Sequence, residues 1–168
     1  SGSLNSAGSL SGKWGHLRIG GQMYARDIVW RDRMRADEIQ TDIDADLSTQ
    51  DPSNLKVTAK NLVAYNTAVE LITLNGHGTG AEHQLDLLVQ TSQERGTLHA
   101  AGTVRHQEWE LTLKDGQITS PAIGNWLSNT PARLIVGRDE QRLEPWCWQE
   151  ENAHFCLRGS RHDIVGWH

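Results

Sequence analysis

The segment Ile39-Gln40-Thr41-Asp42-Ile43-Asp44-Ala45-Asp46-Leu47 carries the clearest structural signal in this chain. Its odd positions hold apolar residues or Thr, and its even positions hold polar residues. Side chains that alternate with a period of two lie on opposite faces of a β-strand, whereas a helix requires a period of about 3.6 residues. The segment is therefore predicted to form a half-buried antiparallel strand with one apolar and one polar face.

The same alternation recurs along most of the chain. The apolar positions that follow it are Leu17 and Ile19, then Leu55, Val57 and Ala59, then Leu85, Leu87 and Val89, then Leu98, Ala100, Gly102 and Val104, then Leu111 and Leu113, and finally Leu134 and Val136. Turn-forming stretches separate these segments at residues 51–54, 75–78, 94–96, 114–116 and 137–139. Hairpins fit this spacing better than crossover helices do, so the sequence predicts an all-β fold.

A helical period can be read in two stretches only, residues 27–35 and 61–74. In the second of these, Asn66-Thr67 can equally turn the chain between two strands. Both interpretations stay open at this point.

A weak internal repeat accompanies the alternation. Residues 25–30 align with residues 59–64 at a shift of 34, and residues 37–41 align with residues 69–73 at a shift of 32. Repeated hairpins indicate a stacked, extensible sheet. The alternative is chance similarity, which alternating segments produce easily.

Length and charge narrow the possible classes. A length of 168 residues suits a single domain. The net charge is -5 and the sequence has no basic stripe that could bind phosphates, so we expect no nucleic-acid partner. No apolar run approaches the roughly 18 to 20 residues that a membrane-spanning helix needs. We predict a single β-rich domain over residues 10–159, a linker or vector-derived segment over residues 1–9, and a tail or linker over residues 160–168.

The chain contains two cysteines, Cys147 and Cys156. Their spacing suits a local disulfide if the compartment is oxidising, as the periplasm is. Free thiols are the main alternative. A metal site that includes His154 is a weaker one, because this spacing is not that of a zinc site and the chain has no second cysteine pair.

No pattern in the sequence predicts a catalytic residue, a metal site or a cofactor. Asp42, Asp44 and Asp46 would lie about 6.6 to 6.8 Å apart along one strand face, too far for neighbours to share a calcium ion. That separation suits an inverting glycosidase, but a solvated face would not separate the pKa values of the carboxyl groups. We predict surface roles for the eight histidines and a hairpin turn for the glycine-rich residues 76–80, which lack the Lys of a phosphate loop.

The apolar face of the predicted strands needs a cover, because apolar area in contact with water costs about 25 cal/mol per Å². No convincing amphipathic helix is available, so the sheet must cover itself. A sandwich, a closed barrel and a sheet folded lengthwise into an open trough all satisfy this requirement. The alternation alone does not choose among them.

The last third of the chain adds a distinctive order of elements. A strand and glycine turn, Trp109-Glu110-Leu111-Thr112-Leu113-Lys114-Asp115-Gly116, precede Gly124-Asn125-Trp126-Leu127 and then Thr130-Pro131-Ala132-Arg133-Leu134. Cys147 and Ala153-His154-Phe155-Cys156 close the series. This order resembles the TamB family of the AsmA-like group, and we assign the chain to an internal or C-terminal-region fragment of such a protein.

The resemblance implies both a fold and a function. The implied fold is an antiparallel sheet curved into an open trough with a hydrophobic interior, the β-taco. The implied function is a non-enzymatic periplasmic conduit in a Gram-negative bacterium that carries phospholipid acyl chains between the inner and outer membranes and is linked to outer-membrane protein assembly. A TamA-like outer-membrane barrel is the implied partner, and the full-length protein is expected to be anchored in the inner membrane.

The residues that would line this lipid groove are the inward aliphatic positions of the alternating strands. They are Leu17, Ile19, Ile39, Ile43, Leu55, Val57, Leu85, Leu87, Val89, Leu98, Leu111, Leu113, Leu134 and Val136.

Two other functions are compatible with the same strands. Exposed sheet edges could bind a strand of an outer-membrane protein client or of the barrel partner by β-augmentation. Tryptophans at the ends of strands could instead stack on sugars in a carbohydrate-binding or hydrolytic domain. The sequence favours the lipid conduit, with β-augmentation as the alternative.

Overall fold

The computed structural model describes residues 2–13, 16–30, 34–46, 51–65, 67–79, 81–105, 108–138 and 140–162. Within these residues the chain forms β-strands and no helix, so the predicted all-β fold is confirmed. The strands are β1 Ser3–Lys13, β2 His16–Trp30, β3 Met34–Asp46, β4 Ser53–Ala64, β5 Thr67–Gly78, β6 His83–Gln90, β7 Arg95–Arg105, β8 Glu108–Ser120, β9 Gly124–Ser128, β10 Ala132–Val136, β11 Glu140–Glu150 and β12 Ala153–His162.

The strands form one antiparallel sheet of twelve strands in the order of an extended meander. Each strand from β1 to β8 pairs with the strand that follows it. The short strands β9 and β10 share the next position, since β8 and β11 each pair with both of them. In the described sheet β1 and β12 are the two outermost strands, so the meander does not close into a barrel.

The pairing register gathers the apolar residues on one face. Ile39 pairs with Ala25 on one side and Ala59 on the other, and Leu87 pairs likewise with Leu74 and Leu98. Residues that lie opposite each other in an antiparallel ladder share a face, so one apolar surface runs across the strands. We call this surface the trough face and the opposite surface the outer face.

The outer face carries a ladder of charged pairs. Both Arg18 nitrogens Nε and Nη2 donate to the Asp44 carboxylate, at 2.6 and 2.7 Å. Glu38 accepts a hydrogen bond from Lys60 at 2.8 Å and another from the Tyr24 hydroxyl at 2.9 Å. These polar rows keep the outer face in contact with water and so determine which face of the sheet buries apolar residues.

The sheet is strongly curved towards its trough face. Leu87 of β6 and Leu157 of β12 line one cavity, and Ile43 of β3 and Trp109 of β8 line another. In each case the two strands are five positions apart in the sheet, a distance of about 24 Å if the sheet were flat. The sheet is therefore an open trough with a hydrophobic interior, the β-taco, and neither a sandwich nor a barrel.

A line of irregular pairing crosses the sheet where it curls towards its C-terminal end. Lys114 is an extra residue in the pairing of β8 with β7. The next strand is interrupted at residues 129–131, between β9 and β10, and the pairing of β11 with β12 shifts around Pro145. Bulges bend a strand and increase its twist, and a bulge also accommodates the missing N–H of a proline. This line positions β11 and β12 above the trough face.

The repeat predicted for residues 25–30 and 59–64 falls on β2 and β4. Asp27 and Asn61 both adopt the left-handed conformation, with φ angles of 52° and 50°, and the residue that follows each of them pairs with Ala36 of β3. The second alignment, of residues 37–41 with residues 69–73, is out of phase by one residue. It matches Ile39 with Leu71, whereas the strand pairing connects Ile39 through Ala59 to Ile72.

Several predicted turns are strand residues instead. Residues 114–116 lie inside β8, where the Asp-Gly pair follows a bulge, and residues 75–78 are the end of β5, with the turn closed by a hydrogen bond from the Thr79 nitrogen to the Glu82 oxygen at 2.7 Å. Gly80 lies outside the described residues. The helical interpretation of residues 27–35 and 61–74 is wrong for their described part, which is extended. Strand β1 includes residues 3–9, and β12 extends to residue 162.

Candidate functional site

The structure brings the fourteen predicted lining residues together on the trough face. The ladder rows that connect them run from β2 through β11. Most of these side chains are half-buried; Leu113 is buried, whereas Ile19 and Val136 are exposed near the two ends of the row. Ile72 and Leu74 of β5 belong to the same surface, although the sequence analysis did not include them.

The trough face lacks a conventional core of large side chains. The buried apolar residues among those described are mostly alanines, such as Ala25, Ala36, Ala100 and Ala132, with Trp148 as the largest. The Leu, Ile and Val side chains between β3 and β7 remain partly in contact with solvent. The concave surface is therefore apolar and accessible at the same time.

One section of the trough is aliphatic and opens at the ends of β3, β5 and β7. A cavity of about 330 Å³ lies there, with Ile43, Leu55 and Leu85 on its floor and Val104 and Trp109 on its far side. Polar residues, among them Asp46, Ser53 and His83, also contribute to its lining. A cavity of this size and lining can hold part of an alkyl chain.

A second section of the trough is aromatic. Trp146 and Trp148 of β11 meet edge to face with ring centroids 4.7 Å apart, and Phe155 of β12 lies 5.0 Å from Trp126 of β9. Trp148 is only 4% exposed, because it packs directly against Gly116, where any larger residue would meet the indole. Trp126, Trp146 and Trp148 thus lie within the trough, not at its edge as their sequence positions indicated.

A cavity of about 280 Å³ joins the two sections. Leu87, Val89 and Leu98 line it from the aliphatic side, and Trp148 and Phe155 line it from the aromatic side. The aliphatic floor therefore continues under the aromatic hairpin formed by β11 and β12.

Cys147 and Cys156 form a disulfide between β11 and β12. They pair directly across the hairpin and alternate with Trp146, Trp148 and Phe155, so the disulfide lies on the outer face while the rings point into the trough. The disulfide joins the outermost strand of the sheet to its neighbour.

His83 differs from the surface role predicted for the histidines. It is in phase with Leu85 and Leu87, it is half-buried on the trough face, and its ring lies edge-on to Trp109 with centroids 5.1 Å apart. Burial lowers the pKa of His83, and a hydrogen bond with the Thr79 backbone opposes that shift. The alternation that assigned Leu85 and Leu87 to one face of the strand also assigns His83 to that face, so the sequence contained this information. His106 and His168 lie outside the described residues.

Asp46 also departs from the prediction of a solvated acidic face. Asp42 is exposed and Asp44 pairs with Arg18, but Asp46 is buried, and its carboxylate accepts a hydrogen bond from the Asp51 nitrogen at 2.7 Å. The buried carboxylate stabilises the connection between β3 and β4 instead of forming a cluster with its neighbours.

The described residues contain no group of three or more His, Cys, Asp or Glu side chains that could hold a metal ion. In the same residues, no helix is long and apolar enough to cross a bilayer. What the fold does provide is a continuous, concave apolar surface built from a meandering sheet. These features define a groove-forming all-β protein whose candidate site is a binding surface.

The family model described as TamB, N-terminal domain, matches residues 1–162, and the chain belongs to the TamB family. No solved structure matches the chain. The resemblance in the sequence identified the right family but the wrong region, since the match is to the N-terminal domain and not to an internal or C-terminal fragment. A meander of similar hairpins carries little information about position, because one section resembles the next.

Membership in this family places the chain in a general functional setting. The TamB family belongs to the bacterial cell envelope and to a transport and assembly system, and it is not a known enzyme family. Its members associate with a TamA-like partner.

Proposed function

We propose that the trough holds phospholipid acyl chains and forms a section of a non-enzymatic periplasmic conduit between the inner and outer membranes. The observation that carries this proposal is the uninterrupted aliphatic row on the concave face, which the protein leaves partly open to solvent. Contiguous exposed apolar surface of this kind marks a binding site for an apolar partner.

The energetics favour an alkyl chain as the occupant. Each buried methylene contributes about 0.8 kcal/mol, so a segment of roughly five methylenes laid along the floor would gain about 4 kcal/mol. Aliphatic side chains without polar atoms, such as Leu74, Leu87 and Leu98, offer no directional contacts and so tolerate a chain that slides. This combination suits transport better than tight storage.

The surroundings of the trough agree with this proposal. Charged pairs lie on the outer face, so the concave side is the more favourable one for lipid. The disulfide fits an oxidising compartment such as the periplasm. The link to outer-membrane protein assembly, through a TamA-like barrel, rests on the family match.

Two adjacent leucines provide a matched test. Leu87 lies on the trough face between Leu74 and Leu98, whereas Leu88 lies on the outer face between Thr73 and Thr97, and both are half-buried. We expect Leu87→Lys to lose most of the phospholipid that co-purifies with the protein, as measured by mass spectrometry, because a charge in the trough opposes alkyl contact. Leu88→Lys should retain it. Equal retention in both variants, with both folded by circular dichroism, would refute the proposal.

A second candidate function, β-augmentation, is favoured by strand β1. This strand is eleven residues long, exposed throughout, free of proline, and charged only at Lys13. In the described sheet it pairs with β2 on one side only, and edges of this type accept further strands. Proline at outward N–H positions of β1 should abolish client or partner binding and leave lipid binding intact if both functions exist.

A further inference from the structure

A single glycine leaves a gap in the apolar floor of the trough beneath the aromatic hairpin. Gly96 of β7 lies in one ladder row between Val89 of β6 and Ile118 of β8, and all three residues line the cavity of about 280 Å³. The two flanking residues are two strand spacings apart, about 9.6 Å. The floor therefore has a notch, one side chain wide, between the side chains of Val89 and Ile118.

The described backbone around Gly96 does not require a glycine. The turn before β7 is closed by a hydrogen bond from the Thr91 nitrogen to the Glu94 oxygen at 2.9 Å, so Gly96 lies inside the strand. Its φ angle is outside the left-handed region, and the pairing of β7 with β8 shifts only further along, between His99 and Ala100. Glycine in a regular strand lowers stability, because it orders a flexible backbone and offers no side chain to pack.

Packing among the described residues does not require this glycine either. Gly116 is a contrasting case, since a Cβ there would lie 2.6 Å from the ring of Trp148. A Cβ at Gly96 would have only the backbone oxygens of Gln117 and Val89 near it, each at an ordinary contact distance of 4.0 Å. Gly96 is also partly accessible to solvent. A strand glycine without a bulge or a packing constraint is typical of a place where a ligand approaches the backbone.

The cavity that contains this notch suits hydrocarbon. Trp146 and Trp148 of β11, with Phe155 and Leu157 of β12, line it opposite the floor, and none of its described lining residues is charged. A head group would lose its hydration there without compensation, whereas an alkyl chain would leave water at a gain in free energy.

We infer that Gly96 sets the depth of this cavity and admits one alkyl chain of a lipid against the backbone of β7, between Val89 and Ile118. The inference rests on the proposed function and deepens it, because it identifies the section of the trough that holds the chain and the residue that decides the fit. The lower stability of a strand glycine is then the cost of keeping this section open to lipid.

The test replaces Gly96 with residues whose side chains would occupy the notch instead of lipid carbons. Gly96→Ala should melt about 1 to 4 °C above the wild type, because alanine is more stable than glycine in a strand. By calorimetry it should bind monomeric dihexanoyl phosphatidylcholine roughly fourfold more weakly, the factor that one displaced methylene corresponds to. Gly96→Leu should weaken binding roughly tenfold or more.

Gly159→Leu is the matched control. Gly159 is also a strand glycine, its Cβ would meet nothing within 4 Å, and it lines neither the cavity of about 280 Å³ nor that of about 330 Å³. The control should bind the lipid as tightly as the wild type does.

A second measurement uses the wild-type protein alone, so it does not depend on how any variant folds. With methyl-labelled valine and isoleucine, nuclear Overhauser effects should connect the lipid chain to the methyl groups of both Val89 and Ile118. Their absence, or equal lipid binding by the wild type and both Gly96 variants, would overturn the role of Gly96 and leave the conduit standing. A Gly96→Ala protein that melts below the wild type would overturn it too, since packing would then require the glycine. Failure of the wild type to bind the lipid would overturn both proposals.

Discussion

Gly116 is the position at which a single methyl group tests the packing of the trough most sharply. A Cβ at this residue would lie 2.6 Å from Cη2 and 3.1 Å from Cζ2 of Trp148, and 3.3 Å from Cζ2 of Trp146. Trp148 is 4% exposed, so its ring cannot swing into solvent to relieve the overlap. Overpacking of this kind typically costs about 1 to 3 kcal/mol.

The expected result for Gly116→Ala is a lower melting temperature. At roughly 2 to 4 °C per kcal/mol for a domain of this size, the decrease should be about 2 to 12 °C, measured by tryptophan fluorescence and circular dichroism. Gly159→Ala is the matched control, because it is also in a strand and its Cβ would meet nothing within 4 Å. In a Trp148→Phe background, which lacks both clashing ring atoms, the cost of Gly116→Ala should shrink. If Gly116→Ala and Gly159→Ala have the same melting temperature, the aromatic rings do not pack on the sheet as described.

Two further predictions concern the outer face. Replacing both Cys147 and Cys156 with Ala should lower the free energy of unfolding by about 2.7 kcal/mol on the chain-entropy estimate and speed amide exchange in β12; unchanged exchange there would contradict the role of the disulfide. The hydrogen bond and charge of Arg18 hold the pKa of Asp44 below its ordinary value, so their contribution to stability is present above about pH 4 and is lost as the pH falls through the folded-state pKa. The stability difference between wild type and Arg18→Gln, followed by urea unfolding, should therefore vanish in acid, and a difference that persists at low pH would refute this assignment.

The alternation predicted the faces of the sheet well because a half-buried strand constrains every second residue. Leu85, Leu87 and Val89 could be assigned to one face from sequence alone, and the ladder puts them there. Strand β1 escaped this logic, since its Ser-rich and Gly-rich sequence carries few apolar residues and its side chains are all exposed. Alternation of apolar and polar residues reflects the burial of one face of a strand, and an edge strand such as β1 buries little of its surface.

Curvature and long-range contacts could not be predicted in the same way. A period of two assigns faces but does not say how far a sheet bends, and the bend at the C-terminal end depends on Lys114 and Pro145, whose irregular pairing involves several strands at once. His83 shows a different limit. Its phase was readable, but its ring contact with Trp109 depends on how β6, β7 and β8 pair, which the sequence does not show.

Site-specific photocrosslinking in cells tests the central claim of this account most directly. A photoreactive residue at position 87 lies on the trough face, and one at position 88 lies one residue away on the outer face. We predict phospholipid adducts at position 87 and none at position 88, detected by mass spectrometry of the purified protein. Absence of lipid at position 87, in a protein that is folded and expressed at the wild-type level, would contradict a trough occupied by acyl chains.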